Sequence, residues 1–212
     1  MVSSPLFELQ NLAFERDDCP LFEGVSERLF GGDILQIKGP NGCGKTTLLH
    51  ILATLKSPSE GRMLWQGEGL ARNAAYLANL VFIGHQPGLK LGLSARENLL
   101  WCSRLYNPSS GIDVDEALDR VGLYTSKDFP CATLSAGQLR RVALAALHIR
   151  DATLWLLDEP LTALDSSAVA ELEALFEAHL NDGGMIIFSS HQALSLPGVR
   201  SLPLAEYAIN LD

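Results

Sequence analysis

The stretch Ile34-Leu35-Gln36-Ile37-Lys38-Gly39-Pro40-Asn41-Gly42-Cys43-Gly44-Lys45-Thr46-Thr47 decides the fold. Its first four residues read as a short strand, and Leu48, Leu49, Ile51, Leu52 and Leu55 behind it recur at helical spacing. Between strand and helix, Gly39 to Thr46 fills the pattern G-x-x-x-x-G-K-[ST]. A loop of this composition meets phosphate: backbone N–H groups converge on the anion, side chains at the glycines would block the approach, and the helix turns its positive end toward the charge. Lys45 then reaches the outer phosphates of a nucleoside triphosphate, and Thr46 offers a hydroxyl to Mg2+. Random sequence of average composition gives the pattern in roughly one chain in a hundred.

Working outward, Leu80 to Ile83, Leu154 to Leu157 and Met185 to Phe188 are continuous apolar runs, too short for helices and suited to strands buried on both faces. Val169, Leu172, Leu175, Phe176 and Leu180 form a helical stripe between the last two, whose ordinary role is core packing. The alternation predicts an α/β fold with a mostly parallel core sheet. The N-terminal part differs. Phe7 to Phe14, Leu21 to Leu29 and Met63 to Trp65 read as strands separated by turn signals, which predicts an antiparallel β layer. From Ser94 to Leu123 the residues favour helix, broken by Asn107-Pro108-Ser109-Ser110-Gly111, and this reads as a helical insertion.

The chain has 212 residues, 47% hydrophobic and 19% charged, so it can bury a sizeable core. One domain, 1–212, is expected, with a helical subdomain over about 94–150. The formal charge of −9 argues against broad nucleic-acid binding, which draws its affinity from Lys and Arg. No apolar stretch reaches the 18 or so residues of a spanning helix, and the N-terminus carries no secretory pattern. Cys19, Cys43, Cys102 and Cys131 form no C-x-x-C pair, which fits a reduced, cytoplasmic compartment.

A second chemical feature is Leu154-Trp155-Leu156-Leu157-Asp158-Glu159, an apolar strand ending in two carboxylates. Beside a phosphate loop, the first suits Mg2+ and the second suits a base that polarises the attacking water. A nucleotide switch without hydrolysis would not need the second acid.

Leu134-Ser135-Ala136-Gly137-Gln138 resembles the L-S-G-G-Q signature of the ABC ATPases, with Ala136 in place of the first glycine. A Ser-Ala-Gly turn alone is an ordinary helix cap. The remaining family elements follow in order: Gln86 resembles the Q-loop residue, Leu161-Thr162-Ala163-Leu164-Asp165 the D-loop, and His191 the switch histidine. The resemblance spans about Phe7 to His191 and implies ATP and Mg2+ as cofactors. It also implies a composite site, in which one copy holds ATP on Gly39, Pro40, Asn41, Gly42, Cys43, Gly44, Lys45, Thr46 and Thr47. A second copy, arranged head to tail, closes over the γ-phosphate with Ser135, Gly137 and Gln138, and Asp165 of the D-loop belongs to the nucleotide-binding set. On the same resemblance Thr46, Asp158 and Gln86 touch Mg2+, Glu159 is the base, and His191 meets the γ-phosphate. Members usually stack an aromatic residue on adenine; here Arg16 falls at that position and Phe14 earlier in the strand. A guanidinium plane can stack on a base with less apolar burial. Cys43 reads as a small loop residue or as a redox-sensitive thiol, and His85, next to Gln86, as structural.

The interval from Thr47 to Leu134 is too short for the coiled-coil insertions of DNA-repair ATPases, and a single cassette disfavours the translation-type ATPases. Transporter subunits remain. Phe14-Glu15-Arg16-Asp17, Leu64-Trp65-Gln66-Gly67, the run from Ile83 to Lys90, Arg96-Glu97-Asn98-Leu99 and the run from Ala152 to Pro160 resemble the haem-exporter ATP-binding subunits of bacterial cytochrome c maturation. That implies polytopic inner-membrane partners, with haem handled by those partners. It also implies a peripheral position on the cytoplasmic face. Little chain follows His191, so no regulatory tail domain is expected. Two other readings use the same residues: a cassette for a different solute, and a soluble regulatory nucleotide-binding module.

Overall fold

A computed structural model describes residues 4–16, 19–70, 73–106 and 113–208. Two sheets carry the chain. Strands β1 (Phe7–Arg16), β2 (Cys19–Leu29), β4 (Glu60–Trp65) and β5 (Glu68–Gly69) form an antiparallel sheet in the order β2-β1-β4-β5. The second sheet holds β3 (Ile34–Lys38), β6 (Leu80–Ile83), β7 (Leu154–Asp158), β8 (Met185–Ser189) and β9 (Arg200–Pro203). It is parallel throughout, in the order β6-β7-β8-β3-β9. Every residue of β7 and β8 is buried, because helices cover both faces, with the antiparallel layer lying beyond one of them.

Helix α1 (Lys45–Leu52) lies between the two sheets. Its Leu48, Leu49, Ile51 and Leu52 join Phe7, Leu12 and Phe22 of the antiparallel sheet to Leu35, Ile37 and Ile187 of the parallel one. The helix stops at Leu52, one turn earlier than the apolar spacing predicts, and Leu55 is 63% exposed. The short α2 (Ala74–Ala78) places Tyr76 against the rings of Phe7 and Trp65 in this same layer. On the opposite face of the parallel sheet, α6 (Ser166–Asn181) packs Leu172 and Phe176 onto Trp155, Ile186 and Phe188.

The segment after β6 is helical, as the sequence predicts. Helices α3 (Ala95–Tyr106), α4 (Val114–Arg120) and α5 (Ala136–Ile149) enclose a third apolar cluster that includes Leu99, Leu118 and Val142. Ser94 and Glu97 exchange hydrogen bonds across the first turn of α3, a reciprocal cap legible as S-x-x-E. The expected break at Asn107 to Gly111 lies outside the described residues. α5 passes through both the helical cluster and the core under β7, which joins the insertion to the sheet. Among the described residues no helix is long and apolar enough to cross a membrane.

Candidate functional site

The loop after β3 is held by contact from below. Gly44 takes φ 104°, and a Cβ there would stand 2.8 Å from Leu21 Cδ2 and 3.1 Å from Phe22 Cδ1. Only glycine lets the loop turn this tightly against β2. The turn delivers the first N–H groups of α1, which have no partner inside the helix, to the C-terminal end of the parallel sheet. There a cavity of ≈ 530 Å³ opens, lined from the loop by Asn41, Gly42, Gly44, Lys45, Thr46 and Thr47. Lys45, only 8% exposed, donates to the carbonyls of Gly39 at 2.8 Å and Pro40 at 3.1 Å. Gly39 and Pro40 thus position the ammonium rather than line the cavity. Cys43 is half-buried against the core, where it acts as a small packing residue.

The carboxylates arrive from the end of β7, beside β8. Asp158 is 1% exposed and accepts from Thr46 Oγ1 at 2.8 Å and from Ser189 Oγ at 2.6 Å. Thr46 and Asp158 supply oxygen ligands only, the donor type that suits Mg2+, whose other positions phosphate and water oxygens can fill. Glu159 follows with φ 51°, in the left-handed region that costs a non-glycine residue about 1 kcal/mol or more. Its N–H is fastened to Ser189, at 3.1 Å from the carbonyl and 3.0 Å from Oγ. The bend turns Glu159 out of the strand and into the cavity wall, with Oε1 3.6 Å from His191 Nε2. His191 Nε2 also lies 2.8 Å from Asn41 Oδ1. The histidine thus bridges the phosphate loop and the second acid.

Arg140 of α5 locks this corner from behind. It is 4% exposed, and its guanidinium donates to the carbonyls of Asp158 at 2.6 Å, Gly84 at 2.8 Å and Pro160 at 3.4 Å. Burial pushes its pKa down to about 10, against the pull of the Asp158 and Glu159 charges, so it stays cationic at neutral pH. The signature helix is thereby tied to the end of β7 and to the residue that follows β6.

The other sequence-derived candidates fall in different places. Arg16 lines the cavity together with Leu21, while Phe14 packs toward Phe22 at 6.4 Å and carries Lys56 over its ring. No Phe, Tyr or Trp is among the lining residues. Gln86 is exposed and does not line the cavity; its neighbour His85 does, with Thr162. Ser135, Gly137 and Gln138 also stand outside it. Ser135 caps α5, accepting from Gln138 N at 3.2 Å while Gln138 Oε1 accepts from Ser135 N at 2.9 Å. Gly137 passes so close to the carbonyl of Ala163 that a Cβ would sit 2.6 Å away. Ala136 is exposed, so the departure from glycine there meets no obstacle. Asp165 caps α6 through Ala168 N at 2.9 Å and pairs with Arg141, and both hold its carboxyl below the usual range.

No sequence motif assigns a role to Arg140, Ser189, Leu21 or Gln36. Gln36 alone carried a visible signal, as a polar residue inside an apolar strand.

Comparison with known proteins agrees with this geometry. The ABC transporter family matches over residues 22–162. The cytochrome c biogenesis ATP-binding export protein CcmA of Pseudomonas syringae pv. tomato is 46% identical over 95% of this chain and 96% of its own. Its namesake from Pseudomonas putida is 48% identical over 93% and 95%. Among solved structures, a putative ABC transporter ATP-binding protein from Pyrococcus furiosus superposes with a TM-score of 0.80 at 25% identity, covering 96% of this chain and 99% of that one. The chain therefore belongs to the ABC transporter family as an ATP-hydrolysing, nucleotide-binding subunit, in the group of the cytochrome c biogenesis ATP-binding export proteins.

Proposed function

We propose that this subunit drives haem export during cytochrome c biogenesis, as the peripheral ATPase on the cytoplasmic face of inner-membrane partners. The observation that carries the chemistry is the junction of Thr46, Asp158 and Glu159, where a cation-type oxygen pair adjoins an acid turned into the cavity wall. Residues 1–212 act as one cassette, with the helical part over about 94–150 facing the membrane partner.

In the mechanism, the N–H groups of residues 41 to 47 and the Lys45 ammonium hold the β- and γ-phosphates of ATP. Thr46 and Asp158 would hold Mg2+, with Gln86 reaching it by movement of the loop after β6. When bound, Mg2+ neutralises charge developing on the phosphate oxygens. Glu159 orients the attacking water and accepts its proton, and His191 contacts the γ-phosphate. The Arg16 guanidinium, which lines the cavity with Leu21, stacks on the base. A second copy supplies Ser135, Gly137 and Gln138 to the γ-phosphate, and Asp165 completes the nucleotide-binding set. Closure of the pair moves α3 to α5 against polytopic membrane subunits, and haem meets those subunits rather than this chain.

The test is co-purification of the full chain from membranes, with haem quantified on the partners with and without ATP. ATP-dependent change in partner haem, abolished by Lys45→Ala, is expected. Cytochrome c assembly undiminished in Lys45→Ala overturns the proposal, and partners that respond to ATP with a different solute redirect it to that cargo.

A further inference from the structure

Gln36 is 3% exposed, in a strand whose other members Ile34, Leu35 and Ile37 are apolar and buried. Leu35 and Ile37 face the core shared with α1, whereas Ile34 faces the one under α6, so strand alternation turns Gln36 toward the α6 side. On that side the segment after β8 folds back, with Leu194, Leu196 and Val199 packed on the core. The Gln36 amide nitrogen donates to the carbonyl of Ser190 at 3.0 Å and to that of Gln192 at 3.1 Å. These are the two residues flanking His191. Ser190 Oγ accepts from Gln192 N at 2.9 Å, closing the turn around the histidine. The His191 ring projects from this pinned backbone to Asn41 and toward Glu159.

We propose that Gln36 is a positioning residue for ATP hydrolysis: its one amide fixes the backbone on both sides of His191 and so sets where the imidazole meets the γ-phosphate. The inference rests on the role of His191 proposed above. A leucine or methionine would fill the same apolar wall, so packing alone does not require an amide there. The amide is the polar group that fastens the switch segment to the strand leading into the phosphate loop. Binding of ATP to the loop and placement of the histidine thus share one strand.

The test uses the full chain with its membrane subunits and measures ATP turnover. Gln36→Met keeps length and volume and removes both donations; Gln36→Glu keeps the shape and replaces the donor by an acceptor. A displacement of about 1 Å at a reacting group can cost a hundredfold. Each variant is therefore expected to lower kcat about 10- to 100-fold, with KM for ATP changed less than about twofold. In a His191→Ala background neither substitution should lower kcat further, because the group being positioned is already gone. That coupling separates positioning from a general loss of stability, which would add in both backgrounds. If one variant melts far below the wild type, the other decides. Wild-type kcat in a folded Gln36 variant, or an undiminished effect in the His191→Ala background, overturns the proposal while leaving the role of His191 intact. A His191→Ala protein that turns over normally removes the role of His191 and this inference with it.

Discussion

Glu159 owes its place to a local conformation that a carboxylate does not prefer. The left-handed bend, fastened by Ser189, turns the acid into the wall of the cavity instead of leaving it in register on β7. If it serves as base, Glu159→Gln retains the size and the bend but not the proton acceptor. Nucleotide binding is then expected to persist while turnover falls by about two orders of magnitude or more. Nucleotide titration and single-turnover hydrolysis check both halves, and near-normal turnover removes the assignment. Gly137 illustrates a different constraint. The Ala163 carbonyl stands where a Cβ would go, so Gly137→Ala must displace backbone, and that outweighs the roughly 1 kcal/mol of helix propensity alanine brings. A loss of about 1–3 kcal/mol is expected, read as a fall in Tm of roughly 3–10 °C. The phosphate loop, Asp158 and Glu159 were legible because their spacing carries the chemistry. Arg140 and Ser189 were not, since a buried side chain that holds backbone carbonyls or a carboxylate leaves no periodic trace in sequence.

At the scale of elements, α5 connects three parts of the molecule. Its first turn carries the signature cap, its middle carries Arg140 under the end of β7, and its last turn carries His148 beside Arg120 and Glu116 of α4. Burial, and after it the charge of Arg120, push the His148 pKa down to about 4 against the opposing pull of Glu116. Below about pH 6.5 the unfolded chain takes up a proton at this position that the folded chain refuses until about pH 4. Stability held by the neutral imidazole is therefore lost as pH falls through that window, and His179 of α6, also lowered by burial, acts in the same direction. His148→Gln should then flatten the fall in Tm between pH 7 and 5 by about 2–4 °C, as about 1 kcal/mol would after allowance for partial exposure. Melts at both pH values check it, and an unchanged slope contradicts the assignment. The apolar runs gave β6, β7 and β8 with bounds within one residue, because strands buried on both faces admit little else. β9 and α2 went unread: Arg-Ser-Leu-Pro has one buried apolar residue and joins only as an edge beside β3, and α2 has a single turn.

For the whole molecule, the decisive feature is what the cavity does not contain. The loop, both acids and His191 gather at one end of the parallel sheet, while Ser135, Gly137 and Gln138 stand outside the cavity they are proposed to serve. Within the chain, Ser135 is fully explained as the cap of α5, so truncating it would confuse folding with any contact to a second copy. Ser135→Asp separates the two, because aspartate caps a helix as well as serine does yet sets a negative charge against a γ-phosphate. The expected result is a folded chain with an unchanged melt, normal ATP binding and little turnover. Lys45→Ala fails on the other component, the phosphate loop. Mixed in equal amounts, the two variants form mixed pairs in which one site joins the intact loop of one copy to the intact signature of the other. If the sites act independently, half the pairs are mixed and each carries one working site, so about a quarter of wild-type turnover returns. Turnover of the mixture measured against each variant alone decides the matter. A mixture no more active than its components means that the signature of one copy does not complete the site of another.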